Sequence, residues 1–164
     1  MKRKLEANKE RSSEKRTYLL FRLAKRMFCV PIDSVLQVIR NTNLSLAPKA
    51  RDYIEGVVNF RGQILTVVNM FKKLSLPNTD NSLGDIIVSE IDHKGKLVQI
   101  GSLVEQVLGV VEFPKKQILS QPDLGSTYNS EFVKGVIKHK DDFVYILNTD
   151  KIFAESDIIK LITN

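Results

Sequence analysis

Apolar positions along this chain come in short runs, each closed by turn-forming residues, and the pattern predicts strands rather than long helices. Residues 18–22 (YLLFR) and 27–32 (MFCVPI) flank a polar turn at 24–26 and read as a hairpin. Asp33 opens a short turn, and the β-branched content from Val35 predicts a strand through Arg40. Residues 48–53, with Pro48 at the start and Gly56 just beyond the end, predict a short helix. Two apolar runs, 57–60 and 63–69, then flank Arg61-Gly62, a hairpin in which Gly62 supplies positive φ. A short helix over 70–74 and a linker over 75–81 follow. In the second half, strands are predicted at 85–91, 96–100, within 102–111, and at 136–138 and 143–147, with helical potential over 150–162.

The two halves repeat. At an offset of 79 residues, Tyr53 aligns with Phe132, Ile54 with Val133, Gly56 with Gly135, Val57 with Val136 and Val58 with Ile137. Beyond the shared turn, Ile64 aligns with Phe143, Leu65 with Val144, Val67 with Ile146, Val68 with Leu147, Asn69 with Asn148 and Lys72 with Lys151. Few of these pairs are identities; the information lies in the agreement of apolar positions on both sides of one turn. A second block repeats at an offset of 72: Asp33/Glu105, Val35/Val107, Leu36/Leu108, Val38/Val110 and Ile39/Val111. Two blocks in the same order in two halves predict two similar subdomains of about five short strands each, the size of a small β-barrel. The chain therefore divides into a basic tail (1–16), a domain (17–154) and a C-terminal helix or tail (155–164). Within the domain, one subdomain is expected over about 17–80 and the other over about 83–154, with an intertwined arrangement left open.

Composition narrows the function. The chain has 164 residues, 43% of them hydrophobic, and one cysteine, Cys29, so no internal disulfide can form. No apolar run approaches the ~18 residues needed to span a bilayer, and no secretory apolar segment follows the basic start. A cytoplasmic location is expected. Its two histidines, His93 and His139, are far apart in sequence and no metal-ligand spacing, nucleophile motif or phosphate-binding loop is present. No catalysis, cofactor or metal is expected. The net charge is +6, and residues 1–16 carry seven basic against three acidic side chains. Such a tail is expected to be a solvated, disordered arm: it has no aromatics for base stacking and too few apolar residues for membrane anchoring.

Residues 53–62 (YIEGVVNFRG) resemble the CheW family, whose members carry I-x-G-V-x-N-L-R-G before an apolar strand. Ile54, Gly56, Val57, Asn59, Arg61 and Gly62 match, followed by Ile64 and Val67-Val68. Upstream, residues 27–32 with Val35 and Ile39-Arg40 resemble the family's Y-x-I-x-I…V-x-x-I-R segment. Downstream, residues 98–107 resemble V-G-L-L-V-D-x-V, and Ser126-Thr127, Glu131-Phe132, Gly135 and 146–148 also fit. The resemblance covers about residues 18–153.

It implies an all-β fold of two SH3-like, five-stranded barrels with short helices around a shared core. It also implies a non-catalytic adaptor that couples chemoreceptors to the histidine kinase CheA. The implied partners are the kinase's regulatory domain, met through barrel ends, and the cytoplasmic receptor tip, met in a groove between subdomains. The implied location is the inner face of the membrane, in receptor arrays, without membrane insertion. A detached regulatory domain of a CheA- or CheV-like protein is a second reading; the absence of receiver and kinase regions and the start at Met1 weigh toward a stand-alone protein. A basic nucleic-acid-binding barrel is a third, weighed against because the charge sits mostly in the tail; no nucleic acid is expected.

The partner-binding candidates are Leu36, Val38, Asn59, Arg61, Gly62, Val104 and Val107. Period-2 alternation puts Leu36 and Val38 on one face, opposite Ile39, and that face is assigned to the groove. Arg61 is expected to reach outward to a partner, and Asn59 to stabilise its own turn. Val104 and Val107 read equally as core or groove wall. Three positions depart from the family pattern: Asn69 stands where Asp is usual, Val38 where many members carry Glu, and Cys29 where a small residue sits. Asn69 is expected to lose a local charge interaction, Val38 to suit a less polar partner, and Cys29 to be buried. The histidines are expected in solvent-facing loops.

Overall fold

A computed structural model describes residues 14–41, 44–45, 52–77, 84–120 and 131–153. The described strands are β1 (Lys15–Leu23), β2 (Arg26–Pro31), β3 (Val35–Arg40), β4 (Ile54–Phe60), β5 (Gln63–Asn69), β6 (Asp85–His93), β7 (Lys96–Val104), β8 (Gln106–Pro114), β9 (Leu119–Ser120), β10 (Val133–His139) and β11 (Asp142–Leu147). Single-turn helices α1 (Met70–Lys73) and α2 (Thr149–Ile152) follow β5 and β11.

Four tight hairpins organise the strands. Each turns on two residues with positive φ: Ala24-Lys25, Arg61-Gly62, Lys94-Gly95 and Lys140-Asp141. This is the turn geometry whose twist matches that of paired strands. Parallel pairs then join the hairpins, β2 with β11 and β5 with β7. The result is two sheets, ordered β8-β1-β2-β11-β10-β9 and β3-β6-β7-β5-β4. Each closes on itself through the segment that continues its outer strand. After β3, Ser45 exchanges backbone hydrogen bonds with Val57 of β4 at 3.0 and 2.8 Å. After β8, β9 pairs with β10. Two mainly five-stranded barrels result.

The expected division near residue 80 needs correction. The second barrel is one continuous stretch, β3 to β7, set between β1–β2 and β8–β11 of the first. Two short links make the exchange: a 3-10 turn, Ile32–Ser34, carries the chain from β2 to β3, and Glu105 alone separates β7 from β8. The cause is pairing: β1 and β11 occupy both edges of β2, so β3 must find its partner, β6, in the other barrel. The tail boundary also moves. Lys15 and Arg16 pair with Pro114 and Phe113, and Lys115 donates its backbone N–H to the Glu14 carbonyl, so 14–16 belong to the fold. The tail before Glu14, most of the predicted helix over 48–53 and the C-terminal segment 155–164 lie outside the described residues. Asp52 and Tyr53 form a turn, and α2 covers only the start of the predicted C-terminal helix.

Alternation along the strands separates three cores. Tyr18, Cys29, Phe113, Ile137, Val144 and Ile146 fill the first barrel. Phe60, Leu65, Val67, Ile86, Val88 and Leu103 fill the second. Between them lies the largest cluster, to which both barrels contribute, including Leu19, Phe21 and Phe28 from one and Val68, Ile87 and Ile100 from the other. Burying these apolar faces against each other joins the barrels into one body.

The sequence repeat has a backbone counterpart. Register shifts occur between Ile54 and Gly56 and between Val133 and Gly135, the same point of each block. A Cβ at Gly56 would collide with the Ser45 carbonyl oxygen, and one at Gly135 would lie 2.8 Å from Ile118 Cγ2 and 3.0 Å from the Leu119 carbonyl. Both glycines thus admit the segment that closes the barrel. The chain also ties off both blocks alike: Asn69 donates its N–H to the Tyr53 carbonyl at 2.7 Å, and Asn148 to that of Phe132 at 2.9 Å.

Candidate functional site

The outer strands of the two sheets, β3 and β8, carry the second repeat block. Each contains a register shift that leaves one residue unpaired: Leu36 in β3 and Leu108 in β8. A bulge re-aims a side chain and interrupts alternation. That is why β3 exposes three consecutive residues, Leu36, Gln37 and Val38, rather than every other one, correcting the alternation expected there. Val38 lies opposite Ile87 and Val110 opposite Leu19, and both of those partners belong to the shared core. Directly opposed residues share a face of the sheet. Val38, 37% exposed, and Val110, 62% exposed, therefore stand at the open rims of the interface between barrels. The candidate list omitted Leu108 and Val110, although the offset of 72 had paired them with Leu36 and Val38.

The β4–β5 hairpin is drawn to the same strand. Asn59 Oδ1 accepts a hydrogen bond from the Gly62 N–H at 3.0 Å, fixing the turn, and Asp92 does the same for Gly95 at 2.9 Å in another hairpin. Arg61 does not simply reach outward. Its Nη2 donates to Gln37 Oε1 at 2.9 Å, and its guanidinium lies 5.0 Å from the centre of the Phe60 ring. Of the candidates, Arg61 alone reaches β3, through Gln37, while Asn59 and Gly62 shape its turn; Gln37 lies opposite Val88 of the second-barrel core and so faces away from Val38. The repeat-related apolar pair Ile64 and Phe143 is also exposed, Ile64 to 82%. Sequence reasoning had aligned these two residues without assigning them to a surface.

Two candidates lie elsewhere. Val104 is fully buried (0% exposed) in the shared core, so its assignment to partner contact is corrected: no partner can touch it in this fold. It closes β7, where five successive residues are buried. Val107 is half-buried against the same core. Its backbone N–H donates to Asp85 Oδ2 at 2.8 Å. Asp85 pairs with Arg40 of β3, so this bond fastens the start of β8 to the end of β3. Asp85 is a positioning residue the sequence reading missed.

Asn69 is buried, and its amide serves both ends. Nδ2 donates to Glu55 Oε2 at 2.9 Å, and Oδ1 accepts the Lys72 N–H at 3.2 Å, capping α1. Glu55 is the residue left unpaired by the β4 register shift. An aspartate at 69 would face a second carboxylate; the asparagine replaces the expected missing charge interaction with a matched donor. Cys29 is fully buried, and burial pushes its thiol up to about 12. Tyr18, beside it in the first barrel, is also raised, by burial first and then by Cys29. His139 packs edge-on against Phe113 with ring centres 5.4 Å apart, and His93 is half-buried, so neither is a freely solvated loop residue.

A rim of paired apolar residues with a guanidinium beside it is suited to binding, not to bond-making. Among the described residues, no three His, Cys, Asp or Glu side chains gather as metal ligands, and no helix is long and apolar enough to cross a membrane. Residues 17–157 match the family model of the CheW-like domain. The chain belongs to the CheW-like family. It is 31% identical to the chemotaxis protein CheW of Thermotoga maritima, over 84% of this chain and 87% of that protein. It is 28% identical to protein FrzA of Myxococcus xanthus, over 82% and 83%. The scaffolding protein TtCheW of Thermoanaerobacter tengcongensis superposes with a TM-score of 0.75 at 25% identity, covering 87% of this chain and 94% of that one. Like other CheW-like proteins, this chain is a non-catalytic adaptor of chemotaxis signal transduction, and its family implies interaction with chemoreceptors and CheA.

Proposed function

We propose that the rims formed by Leu36 and Val38 on β3 and by Leu108 and Val110 on β8 receive the cytoplasmic tip of a chemoreceptor. The hairpin of Asn59, Arg61 and Gly62 links that contact to the kinase, whose CheW-like regulatory domain docks on barrel ends. Val107 supports the β8 rim from behind. On this reading the protein works in the cytoplasm, in receptor arrays at the inner membrane face, without inserting into the bilayer.

One observation carries the proposal: exposed apolar side chains recur at equivalent places on both outer strands, beside the core that joins the barrels. Apolar side chains held at an interface rim and flanked by an arginine are a common protein-binding arrangement. Coupling also requires that the adaptor contact receptor and kinase differently in their two signalling states. Arg61 can supply such a difference, because it can exchange its Gln37 contact for one to a partner.

Val38→Glu tests the assignment. Val38 is 37% exposed at the rim, so a carboxylate there reaches water at a cost of about 1 kcal/mol, and thermal unfolding verifies that the variant folds. Binding to a receptor cytoplasmic fragment should weaken at least tenfold, about 1.4 kcal/mol, while binding to the CheA regulatory domain is retained. Unchanged receptor binding, or equal loss of both partners, sinks the rim assignment.

A further inference from the structure

The far end of the first barrel, where β1 turns into β2 beside the start of β11, holds a cavity of about 370 Å³. Its walls mix charge with aromatic surface: Arg22, Lys25 and Arg26 from the first hairpin, Asp142, Phe143 and Tyr145 from β11. Phe143 is 53% exposed. Lys138 lies directly opposite it on β10, adding a further cation to the same face. Arg22 reaches Gln106 Oε1 only at 3.4 Å, a long and exposed contact. The lining therefore presents two aromatic rings, three cations and a single carboxylate.

The equivalent place on the second barrel is chemically different. There the repeat puts Ile64 where Phe143 stands, opposite the neutral Asn59. The two barrels thus differ at this position: an aliphatic side chain opposite an amide in the second, an aromatic ring opposite a lysine in the first. The surface of the first barrel favours an occupant that brings negative charge and a flat apolar group together.

We propose that this cavity docks an acidic peptide segment of a partner protein, with one aromatic side chain of that segment against Phe143 and its carboxylates toward Arg22, Lys25 and Arg26. The volume suits a side chain rather than a folded surface, at the lower end of the range for small-ligand pockets. The site uses none of the residues assigned above to the receptor or to the Arg61 hairpin.

The test uses the full chain, labelled with nitrogen-15, and the blocked pentapeptide Glu-Glu-Phe-Glu-Glu as probe. The expected result is amide shifts centred on residues 22–27 and 142–145, with affinity at least tenfold above that of the Gln-Gln-Phe-Gln-Gln peptide. Raising salt from 50 to 300 mM should weaken it severalfold, as exposed charges are screened. Phe143→Ala and the double variant Arg22→Gln/Lys25→Gln should each lose at least fivefold, and Lys96→Gln, on another hairpin, nothing. All these positions are exposed or half-buried, and thermal melts verify that each variant folds. Equal binding of the glutamine peptide, shifts elsewhere, or no shifts at millimolar probe would overturn the proposal. So would a single-stranded oligothymidylate that shifts the same amides at lower concentration, since the site would then belong to a nucleic acid.

Discussion

Asn69→Asp introduces the residue that the CheW resemblance implies at this position and should nonetheless destabilise this protein. The buried Asn69 amide donates to Glu55 Oε2 at 2.9 Å, and the substitution converts that donor into a second carboxylate. Losing a hydrogen bond to a charged acceptor costs about 1.5–3 kcal/mol. Two unit charges about 3 Å apart repel by about 5 kcal/mol at an effective dielectric of 20. That is an upper figure, because Glu55 is half-buried and can swing toward water. The cap on α1 survives, since an aspartate oxygen still accepts the Lys72 N–H, and this offsets about 0.5 kcal/mol. The net expectation is a loss of about 2–3 kcal/mol at pH 7, a melting temperature lower by about 4–12 °C for a domain of this size.

The penalty comes from two like charges, so removing one of them should remove most of it. Glu55→Gln in the same chain should close most of the gap between variant and wild type. Urea unfolding of the single and double variants at pH 7 measures both effects. A single variant as stable as wild type, or a loss independent of Glu55, would show that the Asn69–Glu55 contact does not govern this site.

Arg61→Ala removes an exposed hydrogen bond to Gln37 and a stacking contact with Phe60, so unfolding should show a loss of about 1 kcal/mol; a double-mutant cycle with Gln37→Ala should return about 0.5 kcal/mol of coupling, and additive effects would mean that the two side chains do not meet. Gly56→Ala drives a methyl into the Ser45 carbonyl and should cost about 1–3 kcal/mol, with faster exchange of the Ser45 and Val57 amides; wild-type stability would show that the barrel closes some other way. The Cys29 thiol, held neutral up to about 12 against an ordinary 9.0, adds stability that is complete below about pH 9 and lost as pH rises toward 12. Denaturant midpoints should therefore fall between pH 8.5 and 10.5, and Cys29→Ala should reduce that slope without abolishing it, since Tyr18 is also raised.

Much of the local structure was legible because it is written in neighbouring residues. The Arg61-Gly62 turn is flanked by apolar runs, and Val35 opens a strand because β-branched residues favour extended backbone. The repeat aligned Gly56 with Gly135, but that each sits at a register shift is set by strand pairing and was not read from the sequence. Pairing was not legible, since nothing within β3 says that its partner is β6 rather than β2. Nor were the rims complete. Bulges at Leu36 and Leu108 are set by how each strand meets its neighbour, and a strict period of two cannot show them. Val104 was misassigned for the same reason: an apolar residue near a surface strand and one at the centre of a shared core look alike in one dimension.

Setting one barrel inside the chain of the other has a consequence for how the molecule is made. Synthesis delivers β1 and β2 first, yet their remaining partners, β8 and β11, come only after the whole second barrel. At about 5–20 residues per second this early hairpin waits several seconds with both outer edges unpaired. Its apolar faces, with Phe21 and Phe28, have nothing to pack against until β3 to β7 are in place. The continuous barrel can close as it emerges and then offer its face to that waiting hairpin. The oldest part of the nascent chain is thus the last to be finished, and in the interval its bare strand edges are the most exposed route by which two copies could pair wrongly.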